Sequence, residues 1–426
     1  MSHDAPPVLV FHPGTQHSRV TARALQDLGR LKLYATSIDY RPDRLPYLLE
    51  RLPGPAGRAL AQQFARYELS DLDPELVYSQ ARWELLERIL RKRPAGHALA
   101  LKVDRHGNRA LARSLRSLVR GPEEFSVWSY NSVALDIFTM AKAAGRRCIL
   151  DRTTVDLHRY NTVNARLAEK FPQYAQDIGR YDMPPWRIAL EQREYELADR
   201  IVVGSAFAAE TIRAECGDPA IARKVEVLNY SYAPDLFDDP PARETTDPDA
   251  PVRFLFVGSF GPRKGLFELL EAFASLPPGQ ARLSLAGVRA LPEDTPDEVC
   301  ARIDVLGVVP RADMPGVMAR HDVFILPSHL EGSAVSILEA LASGMAVIQS
   351  REAGDGVTPA SGIMLDRVDA PAIAAAMRRC VEDRAQLLRW QKGALEDAAN
   401  YSFAAYRQRI AELLSREDSL RASSPA

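Results

Sequence analysis

Cysteine is scarce in this 426-residue chain. Cys148, Cys216, Cys300 and Cys380 lie far apart and form no C-x-x-C pair. That spacing excludes a zinc knuckle or a disulfide framework and fits free thiols in a reducing compartment. A surplus of positive charge is also missing: 54 Lys and Arg stand against 56 Asp and Glu, a formal net charge of −2. A general nucleic-acid binder needs a basic excess, so no nucleic-acid partner is expected, although a local basic groove for a phosphorylated small molecule is compatible with the balance. Long apolar runs are absent too. None approaches the roughly 18 residues of a membrane span. The N-terminal MSHDAPPVLVFHPG lacks the basic n-region and longer apolar core of a signal peptide. The expected location is the cytoplasm, with peripheral attachment to the inner face of a membrane left open. No carboxylate-rich metal motif stands out, and no metal or cofactor is expected.

What is present is alternation. VLVF, LKLYATS, EFSVWSY, RRCILD, IVVG and KVEV read as short buried strands, with helical spacing in SRVTARALQDL, SVALDIFTMAKAAG and AFAAETIRAEC between them. Ser18 is the expected cap of the first helix. Strands alternating with helices imply a parallel sheet covered on both faces. The stretch from Tyr40 to Arg120 is helix-rich. From Asp238 to Pro251 the chain reads DDPPARETTDPDAP, with no apolar periodicity, and is the expected linker. The alternation then restarts with VRFLFVG, ARLSLAGV, RIDVLG, DVFILPS and MAVIQS, and everything after Ala370 reads as helix. At this length two cores are expected. The predicted division is a doubly wound α/β domain over 1–240, a second over 250–400, and a terminal helix over 401–418. Phe403, Tyr406 and Ile410 give that helix an apolar stripe.

Ligands of open α/β sheets sit beyond the carboxyl ends of the strands. Two loops of the second domain fall there: SFGPRKG after VRFLFVG, and HLEGSA after DVFILPS. The first offers Arg263 and Lys264 for phosphate charge. The second offers Glu331 in the loop and Glu339 about two turns into the following helix. A helix starting near Ser333 would leave the amides from Gly332 to Val335 unpaired and aimed at an anion. Small residues Gly332, Ser333 and Ala334 would let a phosphate approach the backbone. Either glutamate alone reads more simply as a helix-dipole partner or a solvated side chain, and a lone basic pair as solvated surface. Two carboxylates and a basic pair at strand ends of one sheet together suit a sugar nucleotide.

These segments, with LGVVPRADMPGVMARH and SGIMLD, resemble the glycosyltransferase group 1 family of the GT-B fold, whose members are retaining enzymes using nucleotide sugars. The resemblance covers Val252 to about Asp383 and extends more weakly to ELADRIVVGSAFAAETI and KVEVLNYSYAPDLF. It implies two Rossmann-like domains facing across a cleft and a terminal helix crossing back to the first. Glu339 then takes the ribose hydroxyls, Glu331 faces the donor sugar, and Lys264 neutralises the diphosphate. The family carries arginine after Gly258 where this chain has Ser259, a departure that Arg263 would have to make good. In the HPGTQ loop Gly14 and Thr15 would approach the donor diphosphate and the acceptor; an ordinary tight turn explains the glycine equally well. After RRCILD, Asp156 and His158 compete for the position of a histidine near the donor sugar.

The expected function is transfer of a hexose-type sugar from a nucleoside-diphosphate sugar to a glycan, lipid-linked or small-molecule acceptor, as in cell-surface polysaccharide synthesis. The alternatives are a sugar-nucleotide epimerase on the same fold, a phosphorylase, and a non-catalytic scaffold. No pyridoxal-phosphate lysine site stands out for a phosphorylase, and Ser259 is the feature that favours the scaffold.

Overall fold

The computed structural model describes residues 6–14, 17–41, 43, 47–65, 69–91, 96–244, 249–293 and 295–422. Thirteen strands are found among the described residues: β1 Val8–Phe11, β2 Leu31–Thr36, β3 Val77–Ser79, β4 Ser126–Tyr130, β5 Cys148–Arg152, β6 Arg200–Val203, β7 Val225–Val227, β8 Val252–Val257, β9 Ala281–Ala286, β10 Ile303–Gly307, β11 Val323–Leu326, β12 Ala346–Ser350 and β13 Gly362–Leu365. They form a seven-stranded sheet in the order β3-β2-β1-β4-β5-β6-β7 and a six-stranded sheet in the order β10-β9-β8-β11-β12-β13. The pairings given by residue are parallel, for example Val8 beside Ser126 and Val323 beside Ala346. Each sheet reverses direction of travel beside its first strand, the doubly wound arrangement expected from the alternation. The central strands are buried on both faces, as parallel strands covered by helices are: every residue of β1, β4, β5, β11 and β12 is buried, the polar Ser129, Asp151, Arg152 and Gln349 included.

Side-chain caps set several helix starts. Ser205, Asp369 and Asp383 cap their helices by accepting from the amides of Ala208, Ala372 and Gln386 at 3.1, 2.9 and 2.8 Å. Ser18 does not behave this way. The first helix, Ser18–Asp27, is preceded by His17 and has no side-chain cap, while the Ser18 hydroxyl bonds the Tyr34 hydroxyl at 2.9 Å inside the core. The region after Tyr40 holds the helices Pro55–Ala65, Ala81–Arg91, His97–Ser114 and Arg116–Arg120, but also the edge strand β3, which helical spacing hid.

By packing, the described residues fall into two compact units. The first takes those of Met1–Arg152, Ala189–Val202 and Arg409–Ala426; the second takes Thr153–Ile188 and Val203–Gln408. This grouping does not follow the polar stretch at 238–251. Residues 245–248 of that stretch lie outside the described residues, but its earlier part is not free linker. Glu244 donates its amide to Ala319 at 2.9 Å, and Arg243 bonds the His321 carbonyl at 2.5 Å and lies 3.5 Å from Asp322. The terminal helix Phe403–Ala422 begins in the second unit and belongs to the first from Arg409 onward. Phe403, Tyr406 and Ile410 are all buried, and Leu413 and Leu414 extend the stripe.

Candidate functional site

Two loops of the second unit build the site. β8 runs through Gly258–Gly265 into the helix Leu266–Ala274, and β11 runs through 327–334 into the helix Val335–Ala342. The loops are fitted to each other. Gly265 has φ +68°, and a Cβ there would stand 1.9 Å from the Pro327 carbonyl oxygen, so only glycine fits. The His329 amide donates to the Arg263 carbonyl at 2.8 Å.

This stitching delivers three charged groups to one point. Lys264 Nζ lies 2.7 Å and Arg263 Nη1 2.9 Å from Glu331 Oε1, and Arg263 also donates to the Leu330 carbonyl at 2.9 Å. Arg263 therefore points into the cluster. A second cation is present there despite Ser259, which is exposed in the same loop. Two cations sharing one carboxylate leave one net positive charge. All three groups are half-buried or deeper, where charge is screened less than at the surface.

The backbone around the carboxylate differs from expectation. The helix begins at Val335, not near Ser333, and Ala334 precedes it without a side-chain cap. The amides of Glu331 and Ala334 are already bonded to the carbonyls of Glu352 and Ala353, at 2.8 and 3.0 Å. The amides left for an anion are those of Gly332, Ser333 and Val335. Gly332 is small for a reason internal to the protein: a Cβ there would stand 2.3 Å from the Thr153 carbonyl oxygen.

Glu339 is buried, at 3% exposure, and its carboxylate pairs with Arg311. Burial raises its pKa, and Arg311 opposes that shift. A buried carboxylate held by a single, mostly exposed arginine can exchange that partner for hydroxyl donors. Sequence reasoning missed Arg311, although its place just past β10, at a strand's carboxyl end, was a usable signal. It also missed Glu268, which is buried and takes Lys170 at 2.6 Å and His329 at 2.8 Å. The Glu268 carboxyl is buried, which works to raise its pKa, yet these partners hold it below the ordinary value. His329 begins the Glu331 loop, so Glu268 fixes that loop to the helix Leu266–Ala274.

Asp156 and His158 are not brought to this cluster. Asp156 caps the helix Leu157–Lys170, its carboxylate accepting from the His158 amide at 2.8 Å, and it is buried. The His158 side chain is exposed. Tyr160, two residues on, is the member of this segment whose phenol feels Arg263 and Glu331, and burial raises its pKa. Gly14 belongs to the first unit, where a Cβ would stand 2.9 Å from the His12 ring; Thr15 lies outside the described residues. Among the described residues, no group of three or more His, Cys, Asp or Glu side chains is placed to hold a metal ion, and no helix is long and apolar enough to cross a membrane.

Residues 251–383 match the family described as glycosyl transferases group 1. The match spans about a third of the chain. The group 1 segment holds Lys264, Arg263, Glu331, Arg311 and Glu339. O-antigen chain mannosyltransferase B of Escherichia coli is 32% identical over 139 residues, 30% of this chain and 36% of that protein. A D-inositol 3-phosphate glycosyltransferase of Corynebacterium glutamicum is 28% identical over 204 residues, 44% of this chain and 49% of that protein. The chain thus spans half or less of the length of these curated relatives. Among solved structures, Anabaena HepE in complex with UDP has a TM-score of 0.59 at 16% identity, over 96% of this chain and 100% of that one. Sucrose-phosphate synthase of Thermosynechococcus elongatus has a TM-score of 0.60 at 16% identity, over 98% and 100%. At such identity the likeness is one of fold. The two parallel sheets and helical C-terminus are of the GT-B type.

Proposed function

We propose that this protein is a retaining glycosyltransferase that moves a hexose-type sugar from a nucleoside-diphosphate sugar to a hydroxyl of a glycan, lipid-linked or small-molecule acceptor. The observation that carries the reading is the convergence of Lys264 and Arg263 on Glu331 Oε1, at 2.7 and 2.9 Å, with the buried Glu339 in the following helix. The matched family, and neighbours of the same fold in complex with UDP and with UDP-glucose, support a sugar-nucleotide donor.

In this reading the diphosphate lies against Lys264, Arg263 and the amides of Gly332 and Ser333, and the ribose hydroxyls replace Arg311 on Glu339. As the anomeric carbon–oxygen bond breaks, negative charge grows on the departing phosphate, and fixed positive groups stabilise it most in the transition state. The acceptor oxygen forms its bond to the anomeric carbon on the same face, and its proton passes to the departing phosphate oxygen. That route retains configuration without a protein nucleophile, unlike the double displacement of many glycosidases. Residues 1–240 are assigned to the acceptor side and 250–400 to the donor. No observation favours the epimerase or the scaffold, and Arg263 supplies the second cation whose absence at Ser259 was the scaffold's support.

A thermal-shift series with UDP, GDP, ADP and their sugars tests the reading. A ligand that binds only the folded state raises the melting temperature, so one base should stand out, and no shift with any of them would reject a nucleotide site. Glu339→Ala should weaken binding of that nucleotide by about 10–100-fold, the worth of a charge-assisted hydrogen bond. Calorimetry that returned wild-type affinity would remove Glu339 from the ribose site. Transfer should also persist after exhaustive treatment with EDTA, because protein groups supply the positive charge in this scheme. Loss of activity on chelation with recovery on adding Mg²⁺ or Mn²⁺ would overturn it.

A further inference from the structure

Beside the Lys264–Glu331 pair, still within the second unit, lies a cavity of about 320 Å³. Ser259, Arg263 and Lys264 form one wall; the helix Leu157–Lys170 and the turn around Tyr174–Tyr181 form the other. Its cationic wall borders the diphosphate position of the scheme above, which makes no use of the rest of the lining. Its lining is unusually aromatic, with Tyr160, Tyr174, Tyr181 and Phe260. Two of these rings are fixed by packing. Tyr174 stacks on Phe267 with centroids 4.5 Å apart and planes at 14°, and Phe260 meets Phe267 edge-on at 5.5 Å. Yet Phe260 stays 40% exposed and Tyr181 68% exposed, so ring surface remains uncovered at the rim. Planar polar groups stand among the rings: the Asn164 amide, which is buried and already donates to Asp182 at 3.0 Å, and the Asp177–Arg180 pair at 2.9 Å, whose two side chains are both largely exposed.

Aromatic faces interleaved with a few planar donors and acceptors suit a ligand that is apolar on its faces and hydroxylated at its edge. The C–H face of a pyranose ring lies on an aromatic face, and adjacent hydroxyls meet carboxylate, amide or guanidinium groups in pairs. The volume sits at the low end of the roughly 300–1,000 Å³ of small-molecule sites, which suits one or two sugar rings. A long acyl or prenyl chain needs an extended apolar channel instead, and a bare anion would need the cations without the rings. We propose that this cavity binds a pyranose ring beside the diphosphate position, with Tyr181 and Phe260 as its platform. The proposal rests on the glycosyl-transfer reading for its purpose, and the ring could be that of the donor or of the acceptor.

Saturation-transfer NMR on the full chain tests it, with the methyl α-glycosides of glucose, mannose and galactose as probes. At least one should receive saturation, and Tyr181→Ala and Phe260→Ala should each weaken its binding by about 3–10-fold, the loss of one ring contact. Because Tyr181 is largely exposed, Tyr181→Ala should melt like the wild type and keep the same nucleotide thermal shift. Repeating the measurement with saturating sugar nucleotide separates the two sources. Displacement of the glycoside assigns the cavity to the donor's ring, and simultaneous binding assigns it to the acceptor's. No saturation of any of the three glycosides, or saturation untouched by both substitutions, overturns the proposal. Ring-dependent glycoside binding in a protein that no nucleotide shifts would keep the cavity and overturn the transfer reading instead.

Discussion

Lys264→Ala is expected to lower kcat by about a hundredfold or more, in line with removal of one oriented donor from a developing charge. Donor affinity should change far less. Lys264 and Arg263 share one oxygen of Glu331, so the variant keeps Arg263 on the carboxylate, and the loop has no unpaired buried charge to expel. What it loses is the cluster's net positive charge, which falls from one to zero. The ground-state diphosphate carries charge already, but the bridging oxygen gains more as the glycosidic bond opens, so the loss should fall mainly on the transition state. Lys264→Arg should recover only part of the rate, because a planar fork does not reproduce a compact ammonium. Steady-state kinetics with the sugar nucleotide found by thermal shift decide the point. A wild-type kcat with a raised KM would assign Lys264 to uniform binding.

The second large effect concerns acid. His12 and His17 flank the loop after β1, and burial lowers their pKa values to about 4 and about 3. His12 also lies edge-on to Tyr130, with ring centroids 5.0 Å apart. Both histidines are neutral when folded at pH 7, whereas in the unfolded chain each takes a proton near pH 6.5. Their stabilising contribution is therefore complete above that pH. It is lost as pH falls from about 6.5 toward the folded values, because the unfolded state gains protons first. With both groups engaged the slope approaches about 2.7 kcal/mol per pH unit. Hydrogen exchange of the amides of Val8–Phe11 reads the local opening directly. Protection should drop steeply between pH 6.5 and 5, after correction for the intrinsic rate, and His17→Asn should remove about half of the slope. A flat free energy of opening over that interval would refute the assignment.

Most of the fold was legible because buried parallel strands announce themselves. VLVF and VFIL are continuous apolar runs between turn residues, VRFLFV is interrupted only by Arg253, and each became a strand of the expected sheet. β3 was not legible: Val77–Ser79 has only three residues, all half-buried at a sheet edge. β13 opens on Gly362, which a propensity reading treats as a break, but which is needed because a Cβ there would stand 1.8 Å from the Val347 carbonyl oxygen. The glutamates and the basic pair were legible because they occupy loops at strand ends. Their partners were not. Arg311 also follows a strand end, but in a single turn, Arg311–Asp313, with no periodic pattern to single it out, and Glu268 reads as one more acid in the first turn of a helix. Tyr160 was hidden by its neighbours, since Asp156 and His158 looked the more reactive residues, yet one was needed as a cap and the other faces solvent. Spacing identifies who stands at a strand end; it does not say which side chains local folding has already claimed.

The seam between the two site loops limits how this protein could be re-engineered. Gly265 touches Pro327, and the amide of His329 holds the carbonyl of Arg263, so neither loop keeps its shape alone. A chimera whose borrowed basic loop lacked glycine at position 265 would clash with Pro327, and Glu331 would drift from its cations. Exchange of ligand preference by grafting would have to move both loops as a single cassette, with Glu268 and its helix as the mount.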